Sequence, residues 1–459
     1  MTSDPGPSGL PTPNSGLLLR ATWALPMDGP PLRDAAVLIG IQGRIAWVGP
    51  ATSIKAPPDV TVLDLGEAIL LPGLINVHTH LELTGFEPTA SGTDFPEWVR
   101  GIRRLKEARS PPEYREAARA GLRECWRGGV TTIADTGDSG ATLHALAELG
   151  GSGVGYQEVF GPHPDQLGGS FDGLVERVRT LAPLTGPRVR LGVSPHAPYT
   201  VSGPLFTRVA RWAREQGLPL ATHVAESAAE TELIARGSGP FAEAWKARGI
   251  PLLDHPAQAG WQDGRTAGRQ EGGSTGRQEG RMAGRHGGRT AGPTPVAWLS
   301  GLGVLGPTTL CIHAIELLPS DIELLAAAGS AVAHCPVSNA RHGHARAPLA
   351  ALRSAGVRVG LGTDSVASVG RLNLFAEMRA AHETGGLSPA GALALGTLEG
   401  ARALGLGEEI GTLTPGKWGD LIAVPSDPSG GADPVDRVLG SEPEDVRVTV
   451  LGGRIVHRA

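Results

Sequence analysis

Short runs of apolar residues alternate with longer amphipathic stretches through the middle of the chain. Continuous apolar runs predict buried parallel strands, and amphipathic stretches such as residues 112–127 and 372–382 predict helices between them. Eight such runs occur, at residues 71–78, 130–134, 153–160, 189–193, 219–223, 309–313, 331–334 and 357–364. The alternation predicts an α/β fold, a (β/α)8 TIM barrel. An open doubly wound sheet is the alternative, but no GxGxxG motif follows any of the runs.

Both ends of the chain show a different pattern, in which apolar and polar residues alternate as in strands with one exposed face. Residues 17–48 contain a Gln-Gly turn and residues 446–456 contain a Gly-Gly turn, so each end predicts a hairpin. Short strands at the edge of a sheet are stabilised by pairing. We therefore predict a small β-sandwich domain built from residues 17–70 and 408–459, attached to a barrel at residues 71–407.

Two segments lack this periodicity. Residues 1–16 are rich in Pro, Ser and Gly, and residues 258–295 contain imperfect Gly- and Arg-rich repeats with almost no large apolar side chain. Such segments cannot bury enough surface to offset the entropy lost on ordering. We predict a disordered N-terminal tail and a disordered surface insertion in the barrel. The arginines of the insertion allow an acidic partner or nucleic acid, but a solvated loop is the favoured interpretation.

Composition excludes several classes of protein. The 459 residues carry a formal net charge of -5, which gives no general attraction to nucleic acid. No run of about 18 apolar residues predicts a membrane span, and the N-terminus lacks the basic and apolar regions of a signal peptide. The three cysteines form no CxxC pair. These features predict a cytoplasmic protein with a small-molecule partner, for which a homodimer is the default assembly.

Histidines stand at the carboxyl ends of several predicted strands. His78 and His80 end the first strand, and residues i and i+2 of a strand point to the same side. Reactive groups of a (β/α)8 barrel lie at this end of the strands. The other polar residues at these ends are His223, His313, His334 and Asp364. A hydrogen bond in the core explains one such histidine, but five histidines and an aspartate on one rim predict a metal site.

Imidazole nitrogens combined with a carboxylate oxygen suit a catalytic divalent ion. Zinc is the first choice, although iron and manganese accept the same ligands. Zinc lowers the pKa of a bound water from about 15.7 to about 7, which supplies a nucleophile at neutral pH. Glu226 follows His223 by three residues, so a general acid/base is predicted beside the same water.

Five motifs of the chain together resemble the amidohydrolase superfamily. They are PGLINVHTH at residues 72–80, SPHAPY at 194–199, HVAE at 223–226, HCPVSN at 334–339 and GTDS at 362–365. The resemblance extends from residue 36 to the C-terminus, apart from the insertion. The chain is most similar to the branch that contains the cytosine-, guanine- and adenosine-type deaminases and the chlorohydrolases.

The resemblance implies one metal ion and a set of catalytic residues. The implied metal ligands are His78, His80, His223 and Asp364. It also implies that His313 and Asp364 orient the attacking hydroxide, and that Glu226 carries its proton to the substrate. Relatives with two metals bridge them with a carbamylated lysine near the fourth strand, where this chain has no lysine, and the third strand also lacks one.

Substrate contacts are implied for four further residues. They are His196 after the fourth strand, and Glu82, Trp98 and Arg103 in the segment after the first strand. For His196 a hydrogen bond within its loop is the alternative, and Trp98 is also explained as a core anchor. The role of His334 stays open between an auxiliary polar group and a structural histidine.

The activity implied by the resemblance is hydrolytic removal of an exocyclic amine from an aminopurine nucleoside, with release of ammonia. The HTHLEL motif at residues 78–83 and the FPEWV segment at residues 95–99 are similar to the aminodeoxyfutalosine deaminases of menaquinone biosynthesis. S-adenosylhomocysteine or methylthioadenosine deamination follows closely, and guanine deamination and dechlorination are further alternatives. A non-catalytic scaffold on the same barrel is the alternative from another class.

Overall fold

The computed structural model describes residues 16–86, 94–252, 292–427, 429 and 431–459. The strands in these residues are β1 (Gly16–Ala24), β2 (Leu32–Ile39), β3 (Ile45–Pro50), β4 (Val60–Asp64), β5 (Ala68–Pro72), β6 (Leu74–Thr79), β7 (Val130–Gly137), β8 (Gly153–Val159), β9 (Val189–Pro195), β10 (Leu220–Val224), β11 (Thr309–His313), β12 (Ala331–His334), β13 (Arg358–Leu361), β14 (Leu421–Pro425), β15 (Val448–Leu451) and β16 (Arg454–Arg458).

The α-helices of the same residues mostly follow the strands of the central part of the chain. They are α1 (Phe95–Glu107), α2 (Pro111–Arg127), α3 (Ala141–Leu149), α4 (Leu167–Leu181), α5 (Gly203–Gln216), α6 (Ala228–Arg236), α7 (Pro240–Ala247), α8 (Pro295–Gly301), α9 (Pro319–Ala328), α10 (Pro336–Arg341), α11 (Leu349–Ser354), α12 (Val366–Val369), α13 (Leu374–Gly385), α14 (Pro389–Leu395), α15 (Leu398–Ala403) and α16 (Pro434–Leu439). None of them has both the length and the apolar character that crossing a membrane requires.

Strands β6 to β13 form a parallel sheet in the order of the sequence. The sheet closes where the segment after β13 returns beside β6. There, Thr79 and Asp364 form a parallel bridge, and the Asp364 N–H donates to the His78 carbonyl oxygen at 3.0 Å. The (β/α)8 barrel predicted from the sequence is confirmed, and its closure brings the ends of the first and last strands together.

The two ends of the chain build a separate sheet. β1 pairs antiparallel with β2 along one edge, and β2 continues to β3. The other edge of β1 pairs in parallel with β4 and β5. β5 in turn pairs antiparallel with β14, which continues to β15 and β16. Apolar residues of both chain ends, such as Leu19, Val37 and Val450, share one buried cluster. The predicted small β domain from both ends is therefore confirmed.

A single glycine joins the two sheets. Gly73 lies between β5 and β6, and its N–H donates to the Asp420 carbonyl oxygen at 3.0 Å. A Cβ at this position would lie only 2.2 Å from Thr131 Oγ1, so a side chain is excluded by close approach. The start of β6 is thus fixed between the two sheets, and its histidines emerge at the opposite end.

The described residues end before the predicted insertion and resume within its last four residues, at Gly292. Residues 1–15 of the predicted tail and 258–291 of the predicted insertion lie outside the described residues. The Gly292 N–H donates to the Ala235 carbonyl oxygen at 3.0 Å, and Thr294 Oγ1 accepts from the Ala297 N–H at 3.1 Å. Helix α8 begins at Pro295, so the predicted end of the insertion at residue 295 overlaps the helix start.

We expect the insertion to be dispensable for turnover. Replacing residues 258–291 with a short Gly/Ser linker should change the turnover number by no more than a few-fold, since each doubling of loop length costs only about 0.6 kcal/mol. The measurement is steady-state turnover, with the thermal midpoint as a check of folding. A folded variant that has lost its activity would show instead that the arginines of the insertion act on the substrate or a partner.

Candidate metal centre

Three predicted ligands meet where the barrel closes. His78 Nε2 and His80 Nε2 lie 3.8 and 3.6 Å from Asp364 Oδ1. Ligand atoms placed tetrahedrally at about 2.1 Å from a zinc ion lie about 3.4 Å from one another. The spacing of these three atoms therefore fits a shared ion.

Two further histidines complete the cluster from neighbouring strands. One ring nitrogen each of His78, His223 and His313 lies within 4.8 Å of the others. Both ring nitrogens of His78 are buried and have no hydrogen-bond partner among the described residues. Buried polar atoms without partners are rare in folded proteins and require an explanation. A metal ion bound by this donor set supplies one for the nitrogen that faces Asp364.

The other nitrogen of each remaining imidazole has a partner that orients the ring. Nδ1 of His80 lies 2.8 Å from the Thr136 carbonyl oxygen, and Nδ1 of His223 lies 3.3 Å from the His196 carbonyl oxygen. His313 Nδ1 lies 3.0 Å from Asn339 Oδ1. With Nδ1–H donating to these oxygens, each Nε2 presents its lone pair to the cluster, as in histidines that bind metals.

Burial keeps these imidazoles in the form that binds a metal. It lowers the pKa of His78 and His223 well below the usual value, and neighbouring histidines lower both further. The pKa values of His80 and His313 are also lowered, with burial as the largest cause. Neutral imidazole is the ligand form, so the environment favours coordination over protonation.

Asp364 is held in its ionised form. Burial alone would raise the pKa of this carboxyl, but His80, His78 and His313 outweigh that effect and the pKa is lowered. Ser338 Oγ donates to Asp364 Oδ2 at 2.6 Å, and the Ser365 N–H donates to Oδ1 at 2.7 Å. The carboxylate is thus fixed in direction as well as in charge.

Strained backbone redirects the side chains at three strand ends. Ala225, His313 and Asp364 have φ values of 52°, 69° and 60°, in the left-handed region that non-glycine residues seldom adopt. Hydrogen bonds hold these turns, and the Glu230 carboxylate accepts from the Ala225 N–H at 2.8 Å. Such conformations cost about 1–3 kcal/mol each and persist where the surrounding structure enforces them, often at functional sites.

Glu226 lies beside the cluster, as the HVAE motif predicts. Its Oε1 is 3.3 Å from His313 Nε2, and its Oε2 accepts from the Tyr199 hydroxyl at 3.1 Å. Burial raises the pKa of this carboxyl to about 8, with a further contribution from Asp364. A carboxyl that titrates near neutral pH is suited to both accepting and donating a proton.

The structure places His196 against the same cluster. Its ring centroid lies 4.7 Å from that of His223, and its Nδ1 is 2.8 Å from Thr200 Oγ1. Glu82 is also buried, but its carboxylate is engaged by Lys106 Nζ at 2.6 Å and by the Ser139 hydroxyl at 2.5 Å. The implied roles of His196 and Glu82 in substrate binding stay predictions.

The remaining sequence-based candidates lie further out. The Trp98 ring packs against His342, with centroids 4.4 Å apart. The Arg103 guanidinium pairs with Glu107 at 2.7 Å on an exposed face of α1, where its side chain is 62% exposed. His334 is buried, and burial together with His313 lowers its pKa to about 4. Their roles also stay predictions.

Sequence reasoning missed a charged network next to the cluster. Lys106 Nζ reaches from α1 to Glu82, Asp138 and Glu158, at 2.6, 2.8 and 3.9 Å. Glu158 is the next-to-last residue of the third barrel strand, β8, so the strand-end argument that applies to the histidines also applies to it. Burial raises the pKa of Glu158 to about 8, against the lowering effect of Lys106.

Comparison with known proteins agrees with this architecture. A sequence model of the amidohydrolase family matches residues 69–244 and 275–456. The 5-methylthioadenosine/S-adenosylhomocysteine deaminase of Syntrophobacter fumaroxidans is 31% identical over 454 residues, which cover 94% of this chain and 89% of that protein.

Solved structures share the fold. A zinc-bound adenosine deaminase from Xanthomonas campestris superposes with a TM-score of 0.77 at 24% identity, covering 96% of this chain and 92% of its own. The Helicobacter pylori aminofutalosine deaminase in complex with methylthio-coformycin superposes with a TM-score of 0.75 at 19% identity, covering 96% of this chain and 100% of that chain. Because the family model matches most of the chain and the Syntrophobacter fumaroxidans relative is 31% identical, the chain belongs to the amidohydrolase family, as a hydrolase of carbon–nitrogen bonds other than peptide bonds.

Proposed function

We propose that this protein is a metal-dependent deaminase that removes the 6-amino group of an aminopurine nucleoside and releases ammonia. The observation that carries the proposal is the position of Glu226, whose Oε1 lies 3.3 Å from His313 Nε2 at the edge of the histidine cluster. A general acid/base beside a metal site is what hydrolytic deamination requires. The deaminase activity named for the relative at 31% identity supports the same reaction.

The residues proposed to hold the metal are His78, His80, His223 and Asp364. Three imidazoles and one carboxylate are a donor set for zinc, and iron or manganese are the alternatives. When bound, a divalent ion at this site would lower the pKa of a water so that it acts as nucleophile at neutral pH. The zinc named in the Xanthomonas campestris structure supports zinc as the first choice.

The protein's own residues then supply proton transfer and orientation. Glu226 is proposed to take the proton of the attacking water and to deliver it to the amine that leaves as ammonia. Tyr199 donates to Glu226 Oε2 and so keeps Oε1 directed toward His313. His313, oriented by Asn339, and Asp364, oriented by Ser338, are proposed to position the water.

The proposed substrates are 6-aminopurine nucleosides that carry a substituent at the 5′ position. Sequence reasoning placed aminodeoxyfutalosine first, and the aminofutalosine deaminase among the structural neighbours agrees with that choice at the level of fold. The relatives at 31% and 30% identity are named 5-methylthioadenosine/S-adenosylhomocysteine deaminases, which moves these two nucleosides to first place. Aminodeoxyfutalosine follows, and guanine deamination or dechlorination are lower alternatives.

A substrate panel tests this proposal. We expect ammonia release from methylthioadenosine, S-adenosylhomocysteine, adenosine and aminodeoxyfutalosine, with values of kcat/KM at least about 10-fold above those for free adenine, guanine and cytosine. The physical reason is that binding energy from the sugar and its substituent is available to lower the barrier at the reacting carbon. Ammonia is measured with a coupled assay, with metal-free protein as control.

Two outcomes would contradict the proposal in different ways. Efficient turnover of a free base alone would exclude the nucleoside but retain deamination. Release of ammonia from none of these compounds by metal-loaded protein would exclude deamination and favour dechlorination or a non-catalytic scaffold, which chloride release from a chlorinated triazine then separates.

A further inference from the structure

Glu158 is a buried carboxyl with one oxygen that has no hydrogen-bond donor. It stands near the carboxyl end of β8, its relative exposure is 2%, and its Oε1 accepts no hydrogen bond from any described residue. An oxygen of Glu158 and one ring nitrogen each of His196 and His223 lie within 4.8 Å of one another. Leaving a buried acceptor unpaired is unfavourable, so a hydrogen-bond donor is expected for this oxygen.

The neighbour that faces this oxygen is also an acceptor. His196 Nε2 lies 4.0 Å from Glu158 Oε1, which is too far for a hydrogen bond. Thr200 Oγ1 donates to the Ala197 carbonyl oxygen at 3.1 Å, so it accepts from His196 Nδ1 at 2.8 Å. With the ring proton on Nδ1, the Nε2 of a neutral His196 carries a lone pair, and a ligand donor matches both groups.

The other oxygen of this carboxyl faces Lys106. Its ammonium lies 3.9 Å from Glu158 Oε2 and makes closer contacts with Glu82 and Asp138, at 2.6 and 2.8 Å. The lysine side chain is 18% exposed and extends from the last turn of α1. Its charge attracts Oε2, so Oε1 is left directed toward His196.

The proposed substrate offers few donors for such a pair of acceptors. In a 6-aminopurine nucleoside the ring nitrogens N1, N3 and N7 are acceptors, and the amine belongs to the reacting carbon. The ribose hydroxyls are then the donors that remain near the base. We propose that Glu158 is a specificity-determining residue that accepts a hydrogen bond from a ribose hydroxyl beside His196, and that Lys106 is its positioning residue; this rests on the proposed function.

The test is a comparison of nucleosides that differ only in their hydroxyls. Glu158→Leu and Glu158→Gln are assayed on adenosine, 2′-deoxyadenosine, 3′-deoxyadenosine and 2′,3′-dideoxyadenosine. Glu158→Leu should lower kcat/KM for adenosine by about 10- to 100-fold, the size expected when a buried donor loses its acceptor. The change for the dideoxynucleoside should stay within about 3-fold, and Glu158→Gln, which keeps one acceptor oxygen, should lose less.

A matched control and a second variant separate binding from folding. Glu176→Leu removes an exposed glutamate of α4, which pairs with Arg179, and should leave all four values unchanged. Lys106→Met keeps a side chain of similar length but removes its positive charge. It should raise KM for adenosine and reduce the preference for adenosine over the dideoxynucleoside, whereas a purely structural role would lower activity on both equally.

The outcomes distinguish this inference from the proposed function. If the unaltered protein deaminates no nucleoside, both the proposed function and this inference are overturned. If it deaminates nucleosides but the Glu158 variants lose all four substrates in equal measure, the hydroxyl contact alone is overturned. If Glu158→Leu does not fold, the ratio of adenosine to dideoxyadenosine for Glu158→Gln decides, and an unchanged ratio overturns the inference.

Discussion

Protein with His78→Ala should contain less than a tenth of the metal of the unaltered protein and should show no turnover above background. The change removes one of three imidazoles from a site whose other members are fixed by Thr136, His196 and Ser338. The remaining ligands cannot move to fill the vacant position, so the affinity for the ion should collapse. The measurements are metal content by inductively coupled plasma mass spectrometry and ammonia release.

The matched control is another histidine. His163 caps a short turn, where its Nδ1 accepts from the Asp165 N–H at 3.1 Å, and its side chain is 32% exposed. His163→Ala should retain the full metal content and turnover. Normal metal content and activity in His78→Ala would exclude the proposed ligand set.

The same measurement counts the ions. The carboxyls of Glu82, Asp138 and Glu158 form a second group close enough to hold a cation, but the Lys106 ammonium already lies among them. An internal ammonium neutralises these carboxylates as a metal ion would, so we expect about one ion per chain. Two tightly bound ions per chain would contradict the mononuclear site.

The barrel could be predicted from the sequence because its physical cause is local. Parallel strands are buried on both faces, so they are written as continuous apolar runs, and residues 309–313 or 331–334 are recognisable without any knowledge of their neighbours. The topology then places all carboxyl ends on one rim. His78, His223 and Asp364 are far apart in sequence, yet this rule alone predicts that they meet.

The charged network could not be predicted in the same way. Lys106 belongs to a helix, and whether its ammonium faces solvent or the barrel depends on how α1 packs, which in turn depends on Phe95 and its contacts with His342 and His344. The resemblance implies a substrate contact for Arg103, three residues earlier, but this side chain lies on the exposed face of α1. The sequence of an amphipathic helix shows which face is apolar, but the angle at which the helix packs decides which polar residues beside that face are buried.

The residues that hydrogen-bond to the side chains of the metal site could be predicted only in part. Ser338 and Asn339 stand in the HCPVSN motif, so the sequence marks their segment as part of the resemblance. Their separate tasks, donation to Asp364 Oδ2 and acceptance from His313 Nδ1, follow from the side-chain geometry of α10. A motif thus predicts that a segment takes part, whereas the hydrogen bonds decide what each residue does.

Glu226→Gln should lower turnover by about 10²-fold or more while the metal content stays at that of the unaltered protein. Glutamine keeps the volume of the side chain and an oxygen able to accept from Tyr199, but it cannot take up and deliver a proton. Because the amide is not a metal ligand in the proposed site, binding of the ion should not change. The measurements are ammonia release at saturating substrate and metal content of the same preparation.

A neighbouring glutamate serves as the control for this change. Glu232 lies on α6, six residues after Glu226, and its carboxylate accepts from the Ser238 hydroxyl at 2.9 Å. Glu232→Gln should retain normal turnover. If Glu226→Gln also turned over at near the normal rate, another group would have to move the proton, and His313, whose Nε2 lies 3.3 Å from the same carboxyl, would be the residue to substitute next. A loss of metal together with activity would instead assign Glu226 to the ligand set, because a proton carrier that only faces the water has no reason to alter the affinity for the ion.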